Sequence, residues 1–323
     1  GDVYKRQVFS HLGNWLNQTF GKKTGKELLP LMKDFYLLSH IRKPEFMGNT
    51  RTYDKRHEQI ADLPWSTEEI NERLERFKKL SDRVEKLYAT VPSNRKEAYF
   101  EMIQYPVQAS NEMNKKMLYA QFARHTPSDS ASLWKKSDAA YDSIVSLTRR
   151  FNSLLDGKWN HIISTAPRGL IVFDKVKRTA SSTALVSSPA PLQLWNGTEH
   201  DAVTGQHTVI DGLGHSGKAI YLGKGGTVEY EYRNFRKDSL TVEVCLVPTH
   251  AVEGGKLRFA VSTDDREPQV FDCETAEYSE EWKVNILRAQ AVKTARFPSG
   301  SRKGRIKITA LDEGVVIDQI RLR

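Results

Sequence analysis

The chain has 323 residues, 39% of them hydrophobic, with a mean hydropathy of -0.56 and a formal charge of +9. That length allows two domains of ordinary size, each with its own core, and no run approaches the roughly 18 apolar residues of a membrane span. The basic excess does not read as a nucleic-acid surface: in STEEINERLERFKKLSDRVEK acids and bases interleave as on a solvated helix face, and SGSRKGRIKI lacks aromatics for base stacking.

In chain order, GDVYKRQ at residues 1–7 is set aside as a non-native tail, and a helical domain is expected over 8–160. GKELLPLMKDFYLLSHIRKP predicts a helix ended near Pro44. The clearest start is at Ser66, which forms a capping box with Glu69 and is flanked by a hydrophobic staple of Trp65 and Ile70. Ile70, Leu74, Phe77, Leu80, Val84 and Leu87 then recur at spacings of three and four, marking one buried stripe. A second pattern runs from Ser93 to about His125, with Pro106 as a kink or break and Met113 and Met117 on a face that could meet a partner or the core. A third runs from about Asp129 to Leu155 and stops on Asp156-Gly157, where glycine suits a left-handed cap. Short connections imply antiparallel neighbours, hence a helical bundle.

Residues 161–190, including the Ser, Ala and Pro-rich KRTASSTALVSSPAP, are expected as a linker. Beyond it the period becomes two. GTVEYEYRNF, DSLTVEVCLVP, GKLRFAVSTDD, EPQVFDCE, EWKVNILRA, GRIKITALDEG and VVIDQIRLR predict strands of an antiparallel β-sandwich, jelly-roll-like, over 191–323. The fold class is therefore multidomain, α then β.

Chemical motifs are sparse. HEQIA places Ala61 where a zinc helix needs its second histidine, and Cys245 and Cys273 stand alone in strand-like runs, so neither a metal nor a cofactor is expected. GLGHSG has the glycine spacing of a dinucleotide fingerprint at Gly212, Gly214 and Gly217, but strand and turn follow it instead of a helix. The pairs Glu68-Glu69, Asp264-Asp265 and Glu280-Glu281 are sequence neighbours whose side chains diverge, so none makes an acid and base pair by itself.

Several segments, taken in order, resemble the carboxyl-terminal portion of glycoside hydrolase family 115, the xylan α-1,2-glucuronidases. They are FYLLSHIRKPEFMG (35–48), IQYPVQASNEMNKKMLYAQ (103–121) and YDSIVSLTRRFNSLLDGKWNHIISTAPRGLIVF (141–173), followed by VIDGLGHSGKAI, VEVCLVPTH, LRFAVSTDD, EWKVNILRAQ and GRIKITALDEGVVIDQI. Asn49 and Thr208 depart from the aromatic residues the pattern favours there. GDVYKRQ resembles peptide translated from library adaptor.

The resemblance implies a helical domain and a β-sandwich that follow a catalytic barrel, in an inverting enzyme that removes (4-O-methyl)glucuronic acid from glucuronoxylan. It implies catalytic carboxylates upstream of this chain, a homodimeric intact enzyme, and a periplasmic or secreted location. Arg42, Lys43, Glu45 and Arg51 are the candidates for the rim of the cleft or for glycan contact, and Arg42 and Glu45 could instead cap the helix. Tyr230, Tyr232, Trp195 and Trp282 are the aromatic candidates for sugar stacking in the sandwich. The alternative is a free-standing, non-catalytic carbohydrate-binding or assembly module.

Overall fold

The computed structural model describes residues 2–48, 60, 62–181, 183–233, 238–253, 255, 257–264, 266–298 and 302–323, with residues 2–9 by backbone alone. Arg51, Asn49 and most of the HEQIA motif lie outside the described residues. Two compact units result, 1–188 and 189–323.

The first unit opens with a helical hairpin, α1 (Asp2–Phe20) and α2 (Lys22–Ile41), of which only the second is legible in the sequence. Residues 2–7 continue α1. Gly21, at φ +89, makes the hairpin turn, and Gly25 brings the two helices together: a Cβ there would lie 2.7 Å from the Asn17 Cα. A 3-10 turn over Pro44–Phe46 follows α2.

Helix α3 (Thr67–Tyr88) begins with the predicted box, Ser66 N–H donating to Glu69 Oε2 at 2.8 Å and Glu69 N–H to Ser66 Oγ at 3.2 Å. Its stripe is buried with the hairpin, from Leu16, Phe20 and Leu28 to Phe77, Leu80 and Val84. The interleaved charges pair as expected on the outer face, Lys78 with Asp82 and Lys79 with Glu75. Arg73 is the exception, turned into the bundle.

A short α4 (Lys96–Tyr99) and a π-turn (Phe100–Gln104) lead into α5 (Tyr105–His125). Pro106 therefore sits in the first turn of α5, where its missing N–H costs nothing, and the π-turn absorbs the misfit before it. Met113 and Met117 are buried, so they serve the core and present no face to a partner, while Met102 is exposed. Helix α6 (Ser130–Gly157) runs beside α5. Its left-handed ending starts earlier than the glycine predicts: Leu155, Asp156 and Gly157 have φ of 50, 55 and 84°.

Residues 161–188 fold with this unit instead of forming a linker. Val172 and Val176 are buried in its core, and Glu68 accepts from Ser187 Oγ and Ser188 N–H.

The second unit is a two-sheet antiparallel sandwich. One sheet has the order β3 (His207–Asp211), β4 (Lys218–Leu222), β11 (Val315–Leu322), β6 (Ser239–Leu246), β9 (Ala291–Pro298), with β1 (Gln193–Asn196) also on β11. The other runs β2 (Ala202–Thr204), β5 (Thr227–Tyr232), β10 (Gly304–Ala310), β7 (Leu257–Thr263), β8 (Gln269–Cys273). Alternation sets the faces. On β5 Val228, Tyr230 and Tyr232 point inward, while Glu229 and Glu231 face outward and meet Arg305 of β10 at 3.4 and 3.3 Å.

EWKVNILRA, predicted as a strand, is instead helix α7 (Glu280–Arg288). Ser279 Oγ caps Trp282 N–H, two glutamates occupy the first turn, and Ala289 closes it in the left-handed region. Strand β9, absent from the prediction, follows at once. GLGHSG is the turn between β3 and β4, with all three glycines at positive φ. Cys245 and Cys273 are free and buried in strands of different sheets, and burial pushes each thiol up to about 12.

Candidate functional site

The segment after α2 is built around two buried guanidinium groups. Arg42 ends the helix, its N–H donating to Leu38 O at 3.2 Å and its Nη2 to the carbonyl of Phe46, 5.9 Å above that ring. It is buried, which pulls its guanidinium down to about 10 and keeps it away from an open rim. Lys43 is exposed and Glu45 half-buried in the 3-10 turn, so the structure does not bring the three together at one surface.

Arg73 fixes this segment from below. It donates through Nε to Asn114 Oδ1 at 2.6 Å, through Nη1 to Leu38 O at 3.2 Å and through Nη2 to Arg42 O at 3.1 Å. The rings of Trp65 and Phe77 lie 5.2 and 4.9 Å from its guanidinium carbon. Burial, then the charges of Arg42 and Arg76, bring its guanidinium down to about 9.

The early left-handed stop of α6 opens a cleft. The three left-handed residues turn the chain back along α6, where Asn152 Nδ2 holds Ile163 O at 2.9 Å. The resulting groove has a volume of about 770 Å³ and a mixed wall, whose polar side chains include Thr148, Arg149, Asn152, His161, Ser164 and Thr165. A smaller hollow of about 170 Å³ shares Thr148 and Ile163–Thr165 with it and reaches Pro44, Tyr105 and Phe173. All three helical-domain segments that carry the family resemblance thus converge on one place, although they are far apart in sequence.

Hydroxyls, an amide, a guanidinium and an imidazole suit a hydroxyl-rich ligand. Asp156 is the groove's single carboxylate, whereas inverting hydrolysis needs two.

The far wall is clamped by a lysine that stands beside Lys115 in the sequence NEMNKKML. Lys116 is fully buried, and its ammonium donates to the carbonyls of Val172 and Asp174, both at 2.7 Å, below the ring of Tyr141 at 5.8 Å. Burial brings the Lys116 ammonium down to about 7, with Asp174 acting in the opposite sense. A polar residue at a core position between Met113 and Met117 is the signal that could have found it.

The unfolded chain keeps that lysine protonated to about 10.4, so between pH 7 and that value the unfolded state binds more protons and folding stability rises with pH. Wild type should gain on Lys116→Met by about 1.4 kcal/mol per pH unit in this window. Urea unfolding of both proteins at several pH values, followed by helical circular dichroism, checks it. A pH-independent difference would place the lysine near its ordinary value.

Among the aromatic candidates of the sandwich, Tyr230 and Tyr232 are buried, with Tyr230 Oη donating to Gly197 O at 2.8 Å and Tyr232 Oη to Asp264 Oδ2 at 3.2 Å. They are core residues. Trp195 packs against the same core, and Trp282 stays partly exposed on α7. No group of three or more histidine, cysteine or acidic side chains suited to a metal occurs among the described residues. No described helix is long and apolar enough to cross a membrane.

Residues 198–323 match the model of the glycosyl hydrolase family 115 C-terminal domain. Over 98% of its length the chain is also similar to a family GH115 4-O-methyl-α-glucuronidase, BtGH115A, with 45% identity and a TM-score of 0.81. The chain belongs to glycoside hydrolase family 115. It covers 41% of that relative's chain.

Weaker likenesses are to an exo-β-1,3-galactanase of Phanerochaete chrysosporium, with 16% identity over 41% of this chain and 29% of that one at TM-score 0.33. Another is to the carbohydrate-binding module CsCBM6-3 of Clostridium stercorarium, with 14% identity over 40% of this chain and 92% of that one at TM-score 0.31. No curated protein matches the chain.

Proposed function

We propose that this chain is the carboxyl-terminal part of an inverting α-1,2-glucuronidase that removes glucuronic acid or its 4-O-methyl ether from a plant cell-wall polysaccharide outside the cytoplasm. The observation that carries the reading is the 45% identity, over 98% of the chain, to a 4-O-methyl-α-glucuronidase. That relative is described as having specificity for decorated arabinogalactans, while the sequence resemblance implies glucuronoxylan.

In this reading the helical unit is a scaffold that positions the catalytic body and supports a homodimer, and its polar groove meets the glycan. The chain by itself does not hydrolyse, since the groove offers Asp156 without a second carboxylate.

The test is release of 4-O-methylglucuronic acid from glucuronoxylan and from arabinogalactan. A protein extended through its upstream reading frame should release it with inversion at the anomeric carbon, and the 323-residue chain should be inert on both. Release by the chain alone would overturn the placement of the catalytic groups upstream, and an inert extended protein would overturn the activity.

A further inference from the structure

An aromatic pair, Tyr278 exposed and Trp282 half-buried, stands where β8 passes into α7. Tyr278 immediately precedes the helix cap Ser279, and Trp282 lies one turn on, with ring centroids 5.9 Å apart and planes inclined at 54°. Ile286, 42% exposed, continues the strip at the same spacing of four. In a sandwich whose Tyr230 and Tyr232 are buried, Tyr278 is 61% exposed.

Two unfavourable terms meet at this tyrosine. Its backbone is left-handed, at φ 67°, where a bulky residue loses on the order of 1–2 kcal/mol, and its ring keeps its apolar faces in water.

The turn nevertheless holds it there. Ser279 N–H donates to Ala276 O at 3.2 Å, Ala276 N–H to Glu274 Oε1 at 2.7 Å, and Glu274 N–H to Glu281 Oε1 at 3.3 Å. Lys293 of β9 then fixes Glu281 at 2.7 Å. Strain held by such surroundings, with no gain to the core, is what a binding surface shows.

The chemistry of the pair selects a class of ligand. An inclined pair of rings offers faces for the C–H side of a pyranose, and neighbouring carboxylates accept its hydroxyl hydrogens. Glu274, Glu277, Glu280 and Glu281 flank the pair along the chain. Lys283 meets Glu280 and Lys293 meets Glu281, so the patch remains acidic. It would repel a uronate and accept a neutral ring.

We propose that Tyr278 and Trp282 form a stacking platform for the neutral pyranosyl backbone of the polysaccharide, distinct from its uronic acid branch. This rests on the glycan substrate proposed above and adds where the undecorated part of the chain is held.

The test titrates the 323-residue chain with neutral xylo- and galacto-oligosaccharides and with glucuronate, by calorimetry and by the indole resonance of Trp282. Wild type should bind a neutral oligosaccharide and perturb that resonance, with glucuronate at least tenfold weaker. Tyr278→Ala should weaken neutral binding roughly tenfold with its unfolding midpoint unchanged, and Tyr278→Phe should bind as wild type because stacking needs the ring and not the hydroxyl.

Equal binding by Tyr278→Ala, absence of neutral binding by wild type, or preference for glucuronate would each overturn the platform. So would a loss of self-association in Tyr278→Ala without a change in sugar binding, since the pair would then cover a second copy. None of these results touches uronic acid release by the extended protein, so this proposal and the proposed activity fail separately.

Discussion

Replacing Arg73 with alanine is expected to cost the helical unit about 3–5 kcal/mol. Asn114 Oδ1 and the Arg42 carbonyl lose this donor at once, and the Leu38 carbonyl is left with the Arg42 N–H alone. Both carbonyls lie at the end of α2, where helical donors run out, so the guanidinium acts as a cap delivered from α3. Alanine also leaves an empty space between Trp65 and Phe77, adding a cavity term.

Arg73→Lys should recover less than half of the loss, because one ammonium cannot reach three acceptors arranged for a planar fork. Arg73→Met, which refills the space without donors, separates the packing share from the hydrogen-bond share. The measurement is equilibrium urea unfolding followed by helical circular dichroism. A loss under 1 kcal/mol would mean that water replaces the guanidinium and that the segment holding Arg42 and Glu45 is fixed by something else.

The second large effect belongs to the sandwich. Asp318 of β11 is fully buried, and its carboxylate accepts from His215 N–H at 2.8 Å, His215 Nδ1 at 2.7 Å and Gln290 Nε2 at 2.6 Å. It ties the GLGHSG turn to the central strand of the six-stranded sheet. Gly214 is required by the same contact: at φ +76 a Cβ would stand 2.3 Å from Asp318 Oδ1.

Asp318→Ala should therefore destabilise the sandwich by about 3–4 kcal/mol, because the His215 donors of the turn lose their acceptor and Gln290 Nε2 keeps only Gln319 Oε1. His215→Ala, at a side chain 25% exposed, should cost about 1–2 kcal/mol because water can reach part of the vacated site. Calorimetric unfolding of the two variants decides it. Equal, small losses would show that the turn is held by its own backbone bonds.

Local signals were legible wherever the physics is local. The Ser66 box and the stripe from Ile70 to Leu87 depend on spacing within one helix, and β5, β6, β7 and β10 depend chiefly on alternation within one strand. Helix α7 misled because Trp282, Val284 and Ile286 alternate like a strand; the cap at Ser279 and the two glutamates behind it were the better guide. Strand β9 was silent because its inward residues include two alanines, Ala291 and Ala295, which carry little apolar signal.

Of the candidate site, the sequence identified the segments but not their meeting, since Pro44, Tyr105, Thr148 and Phe173 become neighbours only when α5 and α6 pack. The sequence by itself determined the order of a helical unit and a sandwich, the main elements of each, and the family through its ordered segments. Only the tertiary structure decided that Arg73, Lys116 and Asp318 are interior, that residues 161–188 belong to the helical unit, and that Tyr278 stands out in water. A charged side chain can be buried only where other parts of the chain bring carbonyls, amides or imidazoles to meet it, and those partners lie as many as 103 residues away.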